Sequence, residues 1–197
     1  GGKTILLACL CAGISVIFCI MLHSFGKVFK TFSPNPYERV FFGGTVILCI
    51  TLLLGTTRYS GTGIEVIVSA IGGTARNTDF FWKMLFTAIT LACGYKGGEI
   101  IPSFFVGATF GCVIAPVLGL SSSLGAAIGM VSVFCGVTNC PIASLLIALE
   151  LFGKVPILYF LLAIAISYML SGYYSLYKTQ IIAVSKYKNE YVDKKTH

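Results

Sequence analysis

Seven acidic side chains are spread over 197 residues, and three of them, Glu65, Glu99 and Glu150, lie within or beside strongly apolar stretches. A carboxylate at the centre of a bilayer costs about 2.5–3.5 kcal/mol on insertion scales, so each of the three is a functional candidate. Glu99 stands out. It falls in Gly94-Tyr95-Lys96-Gly97-Gly98-Glu99-Ile100-Ile101-Pro102, where glycines and two charges interrupt a pair of apolar runs. Pro102 suits the first turn of a helix. The first amides of that helix have no intrahelical acceptor, and the helix dipole adds partial positive charge there. Gly98, Glu99 and Ile100 therefore present an anion-binding turn.

Two readings of the Glu99 side chain stand. It caps its own helix, or it competes with a solute anion for those amides. In the second case two negative charges cannot share the pocket, so the carboxylate must leave or take a proton, and burial favours its neutral form. Glu99 is then the proton-coupling candidate. Lys96 could instead pair with Glu99 and hold it ionised. Glu150, near a helix C-terminus where the dipole disfavours it, is expected to have a polar partner inside the bundle and a structural role. Glu65 reads as a first-turn residue that the dipole favours. Tyr173-Tyr174-Ser175 follows Ser171-Gly172 at an expected helix start. A tyrosine hydroxyl there can donate to an anion without adding charge, or the ring can belong to an interfacial aromatic belt.

Hydrolytic and metal chemistry find no footing. The sequence holds no G-x-S-x-G, phosphate-binding loop or H-E-x-x-H, and His23 and His197 do not suggest a pair. Its 8 cysteines contain no C-x-x-C and read as buried, inert small hydrophobes. No enzyme activity and no cofactor are expected.

The elements that must position Glu99 are membrane helices. The chain is 56% hydrophobic and 11% charged, with a mean hydropathy of +0.90, whereas a soluble domain carries about 25% charged residues. Apolar runs cover Thr4–Leu22, Val40–Leu54, Phe80–Cys93, Ile100–Leu120, Leu124–Val137 and Ile157–Leu170. Only two of them reach the roughly 20 residues a straight span requires. The pattern predicts a long helix over 4–31, a turn at Ser33-Pro34-Asn35-Pro36, and a helix over 37–54. A glycine-rich loop at 59–63 and a short amphipathic helix over 64–71 follow. Next come a span over 79–93 with Asp79 as its N-cap and a helix over 103–119. Shorter pieces fill 124–137, 141–153 and 156–171, before a polar-faced helix over 173–186 and a charged, frayed tail. Gly107/Gly111 and Gly125/Gly129 are G-x-x-x-G pairs, which let helix backbones approach closely in lipid. Broken helices joined by small-residue seams describe a transporter or channel core. The domain division expected is 1–186 for the membrane unit and 187–197 for a polar tail.

A net charge of +7 gathers at Lys27, Lys30 and Arg39 and again from Lys178 through Lys186, Lys188, Lys194 and Lys195. The positive-inside rule places both groups, and so the C-terminus, on the cytoplasmic side. A nucleic-acid partner is not expected, because no basic patch lies on a soluble face. Gly1-Gly2-Lys3 has no initiator Met and no cleavage site follows the first apolar run. A signal peptide is thus not expected, and further chain upstream is.

Three motifs, in order, resemble the CLC anion transporters. Gly97-Gly98-Glu99-Ile100-Ile101-Pro102 with Gly107 looks like the family's turn into an anion-binding helix. Gly136-Val137-Thr138-Asn139-Cys140-Pro141-Ile142-Ala143 with Glu150 looks like its next pair of half-helices. Ser171-Gly172-Tyr173-Tyr174-Ser175 looks like the start of the final helix, which puts an anion-coordinating tyrosine at Tyr174, with Tyr173 as the fallback. The resemblance implies an all-α membrane fold, here the second inverted repeat plus the final helix, and homodimers of complete subunits in an inner or plasma membrane. The family's serine-bearing loop and gating glutamate belong to the first repeat, and neither motif occurs here. Transport is therefore expected to need a first-half partner. Gly-Gly-Glu resembles the bacterial fluoride/proton antiporter branch, so fluoride with protons is preferred to chloride. A chloride-selective half and a non-transporting scaffold remain as alternatives.

Overall fold

The computed structural model describes residues 2–153, 156–177, 180–184, 186 and 191–196. Lys178, Lys188 and His197, named above, lie outside them. Eight helices occupy most of the described chain: α1 (Gly2–Phe32), α2 (Pro36–Leu54), α3 (Ile64–Ile71), α4 (Asp79–Ala92), α5 (Ile100–Val117), α6 (Ser122–Thr138), α7 (Pro141–Phe152) and α8 (Ile157–Leu170). By length and composition α1, α2 and α5 can cross a membrane, and α6, α7 and α8 are shorter apolar helices.

Local chemistry sets the ends. Asn35 caps α2 by accepting from the Tyr37 amide at 3.2 Å, with Pro36 in the first turn. Ser121 caps α6. That helix stops where Asn139 turns left-handed at φ 56°, the single described non-glycine residue with positive φ, and Pro141 restarts the chain as α7. Positive φ is costly for most side chains, but asparagine tolerates it.

At the α5–α6 seam the two helix backbones meet directly. A Cβ at Gly107 would stand 2.5 Å from the Gly129 carbonyl oxygen, and one at Gly111 would collide with the Gly125 carbonyl. Backbone therefore lies on backbone at both G-x-x-x-G pairs, the geometry that lets van der Waals packing hold helices together where lipid removes the hydrophobic drive. α1 runs through the centre and packs on α4, α6 and α8. Where it meets α6 and α8, Gly136 admits Ser15 and Ser167, and the Ser167 hydroxyl donates to the Ser132 carbonyl at 2.6 Å. Phe18, Phe105 and Phe160 are among the large fully buried side chains.

Four expectations need correction. The described residues of 173–186 form no helix, and the tail beyond them is not frayed throughout. Residues 171–173 turn, the Gln180 amide donates to the Tyr177 carbonyl at 3.2 Å, and β1 (Ile181–Val184) pairs antiparallel with β2 (Tyr191–Lys195), Ile181 opposite Lys195. The cause is twofold. β-Branched residues favour strand, and the residues before β1 satisfy carbonyls that α6 leaves open at its end: Leu176 N–H donates to the Val137 carbonyl at 2.9 Å and Gln180 Nε2 to that of Thr138 at 3.1 Å. Lys186 adds a latch, donating to Asn139 Oδ1 and to the Tyr168 carbonyl at 2.9 Å, and burial holds its ammonium down at about 8.

Asp79 is not the N-cap of α4. Thr78 takes that position and Asp79 begins the helix. Glu150 does not turn into the bundle. It lies exposed near the end of α7, and no hydrogen bond or ion pair reaches it among the described residues, since the inward face of that helix is taken by Ser144, Ala148 and Phe152 and Glu150 falls on the opposite one. Nor are all the cysteines buried: Cys49 and Cys140 are exposed and Cys9 half-buried, although every described cysteine is a free thiol.

The seam yields a direct expectation. Gly111→Val forces apart backbones that touch and should destabilise the folded protein by about 3 kcal/mol. Gly13→Val enters open space on α1 and should change little. Thermal unfolding of the purified variants checks both.

Candidate anion-binding site

The break between α4 and α5 is built by a short sequence. Cys93 ends α4, Gly94 takes φ 96°, and the Tyr95 amide reaches back to the Thr90 carbonyl at 3.3 Å. Only glycine adopts that left-handed conformation without penalty. The Tyr95 hydroxyl donates to the Val40 carbonyl at 3.2 Å and ties the turn to α2. Cys93 meanwhile fits against Gly43, where no side chain could stand. Residues 96–98 are irregular, and α5 then starts at Ile100, three residues earlier than the sequence suggests.

Glu99 occupies the N-cap position in the helical region, at φ −95° and ψ −17°, and its carboxylate makes no capping hydrogen bond. The capping reading of this side chain therefore fails. Its backbone carbonyl accepts from the Ser103 amide at 3.2 Å. Pro102 has no N–H, so the amides of Ile100 and Ile101 are the helix-start donors without an intrahelical acceptor. The Glu99 carboxylate lies within electrostatic reach of Cys19 on α1. Lys96 is exposed and makes no ion pair among the described residues, so the Lys96–Glu99 pair offered by the sequence does not form.

Two cavities flank the turn and share Gly97, Gly98 and Ile101. One, of about 750 Å³, is walled by Gly98, Glu99, Ile100, Leu176 and Tyr177. The other, of about 500 Å³, lies between α2, α4 and the loop after α2, with Tyr59, Gly61, Lys83, Thr87 and Pro102 in its wall. Gly98, Glu99 and Ile100 are thus brought together on open space. Tyr174 is not in either wall. It sits half-buried against the core at the α6–α7 break, where its carbonyl accepts from Asn139 Nδ2 at 2.8 Å. Tyr173 is also half-buried, and the tyrosine that shares a cavity wall with Ile100 is Tyr177.

Sequence reasoning passed over two features here. Lys83 is 2% exposed. Its ammonium donates to the carbonyls of Tyr59 at 3.2 Å and Gly61 at 2.6 Å, and it stands 5.1 Å from the centre of the Phe105 ring. The signal was available: Lys83 is an ionisable residue inside an apolar run, which marks function for bases as much as for acids. The second is the clasp on the loop. Asp79, fully buried, takes the Arg58 guanidinium at 2.9 Å, the Tyr59 hydroxyl at 2.8 Å and the Arg76 amide at 3.1 Å. It anchors the segment whose carbonyls hold Lys83. No spacing in the sequence announces a pairing across 21 residues.

Comparison with known proteins bears on the same residues. The family described as voltage gated chloride channel matches residues 2–172. A protein of Pseudomonas syringae pv. tomato named a chloride/fluoride channel protein is 35% identical over 178 residues, covering 87% of this chain and 39% of the relative. An uncharacterized protein of Methanocaldococcus jannaschii is 22% identical over 150 residues, 71% of this chain and 38% of its own length. The crystal structure of a CLC-type fluoride/proton antiporter superposes with a TM-score of 0.85 at 30% identity, over 89% of this chain and 45% of that one. The chain therefore spans less than half the length of each of these proteins.

The clasp predicts its own loss. Asp79→Asn strands a half-buried guanidinium and frees the loop, and should cost about 2 kcal/mol, below the full value for a buried pair because Arg58 is partly solvated. A lowered thermal midpoint, with Ser60→Ala in the same loop unchanged, is the expected outcome.

Proposed function

The chain belongs to the voltage-gated chloride channel family, the CLC proteins, and from that membership we propose that it supplies one half of a secondary transporter exchanging fluoride for protons. The observation that carries this reading is Glu99: a carboxylate at the N-cap of α5 that does not cap it and lines open space beside the helix-start amides.

The chemistry follows from competition. The Ile100 and Ile101 amides and the positive end of the α5 dipole attract one negative charge. With the Glu99 carboxylate ionised, that charge is already present and repels a solute anion. Protonating it removes the repulsion and leaves an O–H that donates to the anion. An anion arriving thus favours a proton on Glu99, and its departure favours release, which ties the two movements to one site. Fluoride is small and strongly hydrated, so it gains most from replacing water with several fixed donors. Chloride would bind the same amides more weakly.

A complementary half supplies the remaining wall. The outward residues of α2, such as Phe41 at 73% and Leu53 at 86% exposed, suit contact with lipid or with that half. The basic groups at Lys27, Lys30 and Arg39 and in the tail fit a cytoplasmic C-terminus in a plasma or inner membrane. Complete subunits then associate as homodimers. The name of the Pseudomonas relative favours a second reading, a passive halide channel in which Glu99 is only a gate.

One experiment separates them. In vesicles holding this chain with its complementary half, Glu99→Gln should lower fluoride-driven proton movement by about 100-fold, a span typical of a lost acid–base group, while fluoride flux persists. Proton movement and fluoride selectivity both untouched would remove the role assigned to Glu99.

A further inference from the structure

The Gly97–Gly98 turn has a charge on each side. Glu99 faces the larger cavity, and Lys83 faces the smaller one. We propose that Lys83 makes this smaller cavity a second anion position, an antechamber where a small inorganic anion rests before or after it meets the α5 turn. The proposal rests on the transport reading above and adds a residue and a site to it.

Charge accounting supports it. Asp79 is the acidic residue nearest in sequence, one turn before Lys83 on α4, but its carboxylate is committed to Arg58, Tyr59 and the Arg76 amide. Among the described residues Arg58–Asp79 is the single ion pair. Arg76, also near Tyr59, is exposed to solvent, so the buried positive charge left uncompensated in the cluster is that of Lys83. Two carbonyl acceptors and the face of Phe105 suit an ammonium, whose three N–H groups they can engage. They supply dipoles and no opposite charge. A buried cation with polar partners but no counter-ion is costly to keep, and a mobile anion is the counter-ion it lacks.

The shape supports it too. Lys83 is held in place, not swinging: Gly61 at φ 79° and Gly63 at φ 73° bend the loop around it. A Cβ at Gly63 would meet the Phe105 ring at 2.7 Å and stand 3.6 Å from the ammonium. The cavity of about 500 Å³ exceeds a bare halide many times over, so an anion there keeps part of its water. It is held by the field of Lys83 more than by direct contact. Such a site binds weakly, as a passage requires. The positive end of α5 opens on the same space through Gly97, Gly98 and Pro102, giving the anion a downhill step towards the turn.

The test measures anion flux against anion concentration in vesicles carrying the chain with its complementary half. Lys83→Gln should raise the half-saturating fluoride concentration about tenfold, the loss of one nearby charge at intermediate dielectric, with the proton-to-anion ratio unchanged. Lys83→Arg should stay close to the parent. Lys83→Cys should recover after reaction with a cationic aminoethyl thiosulfonate and not after the neutral methyl reagent, in a background carrying C49S and C140S. A purely structural lysine gives a different pattern: Arg fails like Gln, or both thiol reagents act alike. Either result overturns the proposal, as does a folded Lys83→Gln protein with the parent's half-saturation. A parent protein that moves no anion at all would overturn the transport reading itself, and this proposal with it.

Discussion

A helix that begins inside a membrane has amides with nothing to bond, and the rest of this molecule is arranged around that fact. Lipid offers no hydrogen-bond partner, so irregular backbone at that depth persists only where protein buries it or it lines a wet cavity. The turn before α5 has cavities on both sides. Its position is fixed from elsewhere. The glycine seam welds α5 to α6, α1 braces α6 and α8, and Tyr95 ties the turn to α2. A rigid frame holds open a gap that would otherwise collapse onto its donors. In the proposed transport that frame is electrostatic preorganisation applied to passage.

Charge is then distributed with economy. Glu99 and Lys83 flank one short turn, the first on the side walled by Leu176 and Tyr177, the second on the side walled by α4. Asp79 spends its charge on Arg58, so it fastens the loop without cancelling Lys83. The same two glycines, Gly97 and Gly98, border both spaces. In the proposed transport, an anion moving from one to the other leaves the fixed charge of Lys83 for helix-start amides that admit it once Glu99 is protonated. The proposed coupling of anion to proton depends on that order.

Much of this was legible in the residues. Long apolar runs, Pro at helix starts and paired glycines located the helices and the seam, because those signals act within one or two turns. The Gly-Gly-Glu-Ile-Ile-Pro step located the turn for the same reason. What escaped depended on partners distant in sequence. Lys83 was absorbed into an apolar run, although its carbonyl acceptors come from a loop more than 20 residues earlier. Asp79 had the look of a cap, but Arg58 and Tyr59 claimed it. The segment after Gly172 read as helix from its composition, yet Leu176 and Gln180 bond the open carbonyls at the end of α6 instead. Tyr174 consequently lies at the α6–α7 break, and Tyr177 stands in the cavity wall.

Gly98 gives the most direct access to the central claim, because a Cβ there meets nothing within 4 Å and its φ is not positive. A cysteine at that position should fold. With C49S and C140S in place, and the complementary half present, Gly98→Cys should react with a small charged thiol reagent added in water. Saturating fluoride should slow that reaction severalfold, by occupying the adjacent amides, where an impermeant anion such as gluconate should not. A thiol that reacts at the same rate with and without fluoride, or never reacts at all, would contradict the assignment of an anion site to the start of α5.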